Sequence, residues 1–153
     1  MSKRHIISYK NHLDSLFEDV KKISDPKMES EWAKYLCILV CGYLEQSISA
    51  IFCNYAQKKS CPNIANFIER QLEKARNPKM QQVIDLITKF NDKWGKEITE
   101  KTIDKYKDVV DGVVTNRNKI AHGIDVNISY SQIKNYYNDI LITIKIIDDV
   151  VNK

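Results

Sequence analysis

One short segment carries side chains that could act together on an anionic substrate: Arg117 and Asn118, followed by His122 and Gly123. An imidazole exchanges protons near neutral pH, and a guanidinium presents a planar fork of donors to phosphate oxygens. If one helix runs through residue 122, Asn118 and His122 share a face and Arg117 lies beside it. The segment therefore predicts acid–base chemistry beside an anion-binding group. A structural interpretation is also open, because a histidine in the last turn before a glycine stabilises a helix end.

Two charged residues interrupt apolar helical patterns. The stripe through Val110 and Val113 reaches Arg117 at its next step, so an arginine takes a core-facing position. Glu45 likewise lies at helical spacing from apolar neighbours on an earlier helix. Burying either charge without a partner is costly. Three interpretations stay open: an Arg117–Glu45 ion pair, an arginine whose head reaches solvent, and a functional cleft.

Composition predicts that these residues are positioned by an all-α fold. The 153 residues are 43% hydrophobic, with only 4 Gly and 3 Pro. So few turn residues are untypical of a β-sandwich or barrel and typical of helices joined by short loops. The length suits one core. We therefore expect residues 1–153 to form a single domain, an up-down bundle of five to six helices.

Periodicity and capping signals place these helices. Asp25 followed by Pro26 is typical of a helix start, and Ser129 with Gln132 resembles a capping box. The apolar pattern lapses at 91–102, where we expect the one long loop. The predicted helices cover about residues 9–24, 26–57, 62–76, 78–90, 101–122 and 130–151.

Charge and the first residues bear on partners and compartment. The formal net charge is +4, and 24 basic residues are interspersed with 20 acidic ones. This balance permits an RNA partner without requiring one. No apolar stretch follows the basic residues of the first ten positions, so no secretory signal is indicated. We expect a cytoplasmic protein.

The four cysteines are expected to be reduced packing residues: Cys37, Cys41, Cys53 and Cys61. A zinc site does not fit, because Cys53 lies roughly 18 Å beyond Cys41 along the same predicted helix. The three histidines add no zinc spacing. No metal or cofactor is expected.

The segment between Lys34 and Lys58 is long enough to span a bilayer and contains one formal charge, Glu45. Several amides and hydroxyls accompany Glu45, and placing them in hydrocarbon would be costly. A central helix buried by its neighbours is the better interpretation, and no membrane partner is expected.

The run Arg117-Asn118-Lys119-Ile120-Ala121-His122-Gly123 resembles a known motif. In the HEPN superfamily an Arg is followed after four to six residues by a His, and a polar residue commonly follows the Arg. The sequence is most similar to the RiboL-PSP-HEPN group. The likeness covers most of the chain in order: Gly42-Tyr43-Leu44-Glu45, the Asn77-Pro78 step, Trp94 and a tyrosine-bearing final helix.

The resemblance implies a metal-independent endoribonuclease of toxin–antitoxin, anti-phage or stress-response systems. RNA carries its own nucleophile in the 2′-hydroxyl, so the enzyme needs to orient it, move protons and stabilise charge on phosphate. His122 would exchange protons, Arg117 would bind phosphate oxygens, Asn118 would hold the phosphate or steer the imidazole, and Glu45 would orient Arg117 or His122. The expected products have 2′,3′-cyclic phosphate ends.

The resemblance also implies partners. Family members generally form homodimers with the two motifs facing a shared cleft, and an antitoxin or regulator is expected. Gly123 and Ile124 follow His122 where HEPN partners of nucleotidyltransferases often carry a tyrosine, which argues against that kind of antitoxin. Some HEPN domains are non-catalytic RNA-binding, nucleotide-binding or protein-interaction modules, and this is the alternative. No helix-turn-helix pattern indicates DNA binding.

Overall fold

A computed structural model describes residues 3–153 and places seven α-helices within that range. The all-α prediction is confirmed, but there are seven helices where five to six were predicted. One hydrophobic cluster contains buried side chains from all seven. The helices are α1 (Lys3–Lys21), α2 (Pro26–Lys59), α3 (Pro62–Leu72), α4 (Met80–Phe90), α5 (Asp92–Thr102), α6 (Tyr106–Ala121) and α7 (Tyr130–Val151).

The additional helix, α5, occupies the segment for which the sequence predicted a long loop. The side chain of Asn91 caps its first turn, and Ile98 is buried in the core. Gly95 allows α5 to approach α4, because a Cβ at that position would lie 2.0 Å from Oγ1 and 3.2 Å from Cα of Thr88. The glycine that suggested a loop is therefore a point of close helix contact.

Further boundaries differ from the sequence prediction, including the end of α3 at Leu72 rather than near residue 76. α1 already includes Lys3, whereas its start was predicted near residue 9, and Ile6 packs against the core and extends the buried face. α4 begins at Met80, where Asp111 Oδ1 of α6 accepts a hydrogen bond from the Met80 backbone N–H at 2.8 Å. α6 begins at Tyr106. Contacts with distant parts of the chain therefore accompany the additional residues of α1 and the start of α4.

α2 is the central helix and packs against α1, α3, α6 and α7. Its predicted cap is confirmed, because the Asp25 carboxylate accepts hydrogen bonds from the backbone N–H groups of Lys27 and Met28. Of the described helices, α2 alone has the length and composition to cross a membrane, but 67% of its apolar window is buried against the rest of the fold. That burial is typical of a core helix.

An aromatic contact fixes α7 against α1. The rings of Phe17 and Tyr137 stack with their centroids 4.8 Å apart. The buried Tyr137 hydroxyl donates to Asp14 Oδ1 at 2.5 Å, which satisfies a polar group inside the core. Burial raises the pKa of Asp14, but hydrogen bonds from Lys10 and Tyr137 outweigh it and hold that pKa below its usual 3.8.

α3 presents an unexpected face to solvent. Ile64 and Phe67, which the periodicity placed on an apolar stripe, are 50% and 60% exposed. Ala65 and Leu72 are the residues that α3 buries. Cys61, at the N-cap of α3, is exposed as well, so the prediction that all four cysteines are packing residues was wrong for this one.

Candidate active site

The C-terminal end of α6 is closed by backbone hydrogen bonds that place His122 at the cap position. The N–H of Ile124 donates to the Lys119 carbonyl at 2.9 Å, and the N–H of Gly123 donates to the Ile120 carbonyl at 3.1 Å. This is a Schellman motif, and Gly123 supplies its left-handed residue with φ of 71°. The predicted role of Gly123 as the residue after the cap is confirmed.

The side chain of His122 has a different environment from its backbone. The residue is exposed, and its imidazole makes no hydrogen bond or ion pair with any residue in the range 3–153. The backbone bonds alone hold the helix end, so the imidazole is accessible to an external group.

Arg117 precedes His122 by roughly 1.4 turns of helix and is half-buried. Its Nη1 donates to Oδ1 of Asn118 at 3.4 Å, at the long end of hydrogen-bonding distance. Asn118 is also half-buried and precedes His122 by four residues, so it lies between the guanidinium and the imidazole on the helix surface. The three polar residues of the motif are thus brought to one helix end.

Glu45 reaches the same region from α2, but it does not pair with Arg117. Its Oε2 accepts a hydrogen bond from the Asn77 backbone N–H at 2.6 Å, and no Glu45–Arg117 ion pair forms in the described chain. The Glu45 carboxylate and the Arg117 guanidinium both affect the pKa of the Cys41 thiol. Burial raises the pKa of its thiol to about 11, with the Arg117 guanidinium lowering it and the Glu45 carboxylate raising it. Glu45 and Arg117 therefore both lie near Cys41 without forming an ion pair with each other.

The segment between α3 and α4, residues 73–79, is anchored beside this site. Asn77 adopts a left-handed conformation with φ of 47°, and its Oδ1 lies 3.6 Å from the Cys41 thiol, which donates to it. Asp111 accepts a hydrogen bond from the backbone N–H of Met80, the first residue of α4. Sequence reasoning missed Asn77 and Asp111 as site-supporting residues. The Asn-Pro step was a signal for Asn77, because asparagine tolerates left-handed turns, whereas Asp111 gave none.

Two grooves of the described chain do not include the Arg117–His122 pair. A small groove of about 180 Å³ beside the α3–α4 segment includes Glu45 but neither Arg117 nor His122. A larger groove of about 850 Å³ between α1, α2 and α7 includes none of the motif residues. No group of three or more His, Cys, Asp or Glu among residues 3–153 is arranged to hold a metal ion.

Comparison with protein families identifies the chain. A family model described as RiboL-PSP-HEPN matches residues 4–153. The chain belongs to the RiboL-PSP-HEPN family. Searches of curated proteins and of solved structures gave no significant match.

The helical fold of this RiboL-PSP-HEPN chain agrees with the family that its sequence resembled. HEPN domains are RNase-like or nucleotide-binding modules on a helical fold. In this HEPN chain the Arg and His of the motif lie at the exposed end of α6, with Asn118 between them. An accessible imidazole near a half-buried guanidinium can exchange a proton and bind an anionic oxygen.

Proposed function

We propose that this protein is a metal-independent endoribonuclease that cuts RNA by attack of the 2′-hydroxyl. The observation that carries the proposal is the exposed imidazole of His122, which has no partner in the described chain and follows Arg117 at the helix end that the backbone bonds close. A histidine that served only as a helix cap would not need Arg117 and Asn118 beside it. Membership of the HEPN superfamily supports the same chemistry.

The proposed reaction needs two proton transfers and one charge stabiliser. His122 accepts the 2′-hydroxyl proton while the 2′-oxygen forms a bond to phosphorus and the bond from phosphorus to the 5′-oxygen breaks. The leaving 5′-oxygen receives a proton, which gives a 5′-hydroxyl and a 2′,3′-cyclic phosphate. Arg117 binds the non-bridging oxygens as their charge grows, and Asn118 restrains the guanidinium. Glu45 acts as a positioning residue by fixing the α3–α4 segment.

A homodimer would complete this site. One chain offers a single, exposed motif histidine, whereas the reaction uses a proton acceptor and a proton donor on opposite sides of the phosphate. Two copies related by a two-fold axis would place two motifs across one cleft, with the second His122 as the acid. Light scattering at low micromolar concentration tests this, and a monomer that still cuts RNA would contradict it.

The cleavage assay uses a fluorescent single-stranded RNA in excess EDTA, with product ends identified by mass spectrometry. We expect cleavage by the wild type and at least a hundredfold loss of rate, roughly the contribution of one acid–base group, in His122→Ala. Arg117→Ala should lose a similar amount. His12→Ala and Arg70→Ala are matched controls, because both side chains are exposed and outside the motif. Cleavage retained in both motif variants would refute the proposal.

The biological setting is part of the proposal. An RNA-cutting HEPN protein fits a toxin or an anti-phage or stress-response effector, acting on cytoplasmic RNA and restrained by an antitoxin or regulator. Expression in a bacterial host should arrest growth for the wild type and not for His122→Ala. Growth arrest by both would indicate an effect unrelated to cleavage.

A second candidate function is a non-catalytic RNA-binding, nucleotide-binding or protein-interaction module. It is favoured by one observation, that neither groove includes Arg117 or His122. In that case the wild type would cut no RNA, and His122→Ala would lower the melting temperature by several degrees if the residue were structural. RNA bound without cleavage would favour this module over the nuclease.

A further inference from the structure

The larger groove, between α1, α2 and α7, has the properties of a binding site separate from the α6 motif. Its volume of about 850 Å³ lies within the range of small-molecule sites. Aliphatic side chains from three helices line it: Ile6 of α1, Ile51 of α2 and Ile144 of α7. The groove therefore offers an apolar surface to a ligand of organic size.

The charges around the groove are unbalanced. Six lysines and two aspartates line it. Asp149 already pairs with Lys145 at 3.1 Å, and Asp148 accepts a hydrogen bond from the side chain of Asn152 at 2.7 Å. Both acidic side chains are thus occupied within the chain.

Three of the lysines have no such partner. Lys3, at the start of α1, and Lys58 and Lys59, at the end of α2, are exposed and make no ion pair within residues 3–153. The uncompensated charge at the groove is therefore positive, and it is complementary to an anion.

We propose that this groove binds a small organic anion, whose apolar body lies on the isoleucine-lined surface and whose charge is met by Lys3, Lys58 and Lys59. The proposal is independent of RNA cleavage, because the groove contains no motif residue. It gives the protein a second binding site on the other side of α2 from Cys41 and Arg117.

The test measures binding of 8-anilinonaphthalene-1-sulfonate, an anion with an aromatic body, by its fluorescence. We expect saturable binding at one site per chain that weakens as KCl rises. In Lys58→Gln/Lys59→Gln the dissociation constant should rise about tenfold, since two charge contacts are lost. Lys22→Gln/Lys27→Gln removes the same charge from exposed positions outside the groove and should leave binding unchanged. These surface substitutions leave the buried core intact, and circular dichroism checks the fold.

Competition experiments show which kind of apolar group the ligand carries. AMP has an aromatic body, decanoate an aliphatic one, and inorganic phosphate none. We expect AMP or decanoate to displace the dye at concentrations at least about tenfold below those of phosphate. The stronger competitor of the two shows whether the groove prefers an aromatic or an aliphatic ligand. Equal displacement by phosphate, or dye binding unaffected by the lysine substitutions, would overturn the proposal. RNA cleavage unchanged in Lys58→Gln/Lys59→Gln would show that the groove and the motif act separately.

Discussion

The Glu45 carboxylate accepts a hydrogen bond from the backbone N–H of Asn77 at 2.6 Å, and this bond joins the central helix to the α3–α4 segment. The sequence suggested Glu45 as an ion-pair partner of Arg117. Its carboxylate instead accepts a hydrogen bond from a backbone N–H of the α3–α4 segment. The consequence is that the region around the motif is supported by backbone contacts from a part of the chain 32 residues away from Glu45.

Replacement of Glu45 by Ala should destabilise the protein. The half-buried Asn77 N–H would lose its acceptor, at a cost of about 1–3 kcal/mol, and the melting temperature should fall by several degrees. Glu45→Gln retains an acceptor oxygen and should lose less. Thermal unfolding followed by circular dichroism measures both, with Glu100→Ala as the control because Glu100 is exposed. Equal melting temperatures for all three variants would show that the hydrogen bond contributes nothing.

Replacement of Gly123 by Ala should strain the end of α6. A Cβ would meet no atom within 4 Å, but φ of 71° is unfavourable for an L-residue and costs about 1–2 kcal/mol. Gly123→Asn should cost less, since asparagine tolerates this region. Urea unfolding measures the difference. If Ala and Asn were equally destabilising, an effect other than backbone conformation would be responsible.

Stability in acid should depend on Asp14. Burial raises the pKa of Asp14, but the hydrogen bonds from Lys10 and Tyr137 lower that pKa by a larger amount. The pKa in the folded protein therefore lies below the usual 3.8. The carboxylate then stabilises the fold above that usual value, and the contribution is lost as the pH falls through the folded pKa. Between about pH 5 and pH 2 the melting temperature of the wild type should fall more steeply than that of Asp14→Asn. Its side chain is 41% exposed, so solvent screening keeps the effect modest.

The control for this pH series is Asp19→Asn, an exposed carboxylate on the same helix with no resolved partner for its side chain. It should follow the wild type across the whole range. An Asp14→Asn curve parallel to that of the wild type would contradict the assignment of acid sensitivity to Asp14.

One thiol should react far faster than the other three. Cys61 is exposed, whereas burial raises the pKa of Cys37 to about 12 and that of Cys41 to about 11 and also raises that of Cys53. The thiolate is the reactive form, so the buried groups stay protonated and inaccessible at neutral pH. Iodoacetamide should add once to the native chain and four times after denaturation, as counted by mass spectrometry. Multiple rapid additions to the native protein would show that the core is open.

Sequence patterns predicted the fold class and the position of the motif because both depend on local order. The 3.6-residue periodicity of apolar residues shows in one helix at a time, and Gly123 directly follows the helix that it ends. The cap at Asp25 is likewise a contact within three residues. Each of these signals lies within a short stretch of consecutive residues.

Features that depend on distant contacts were not predictable in the same way. α5 was taken for a loop because Gly95 and its charged neighbours break the apolar pattern, and only the approach to Thr88 explains the glycine. The partner of Glu45 is a backbone N–H, which no residue type reveals. Phe67 has the spacing of a core residue, but no described element covers it.

The position of Lys3 and Lys153 on the same groove has a practical consequence. Both side chains line the groove, so a bulky label attached to either lysine would crowd the space that a ligand needs. Ligand screens on protein labelled with amine-reactive dyes, which modify lysines, would therefore under-report occupancy. A reporter joined instead at the exposed thiol of Cys61 would leave the opening clear, because that residue is not among those that line it.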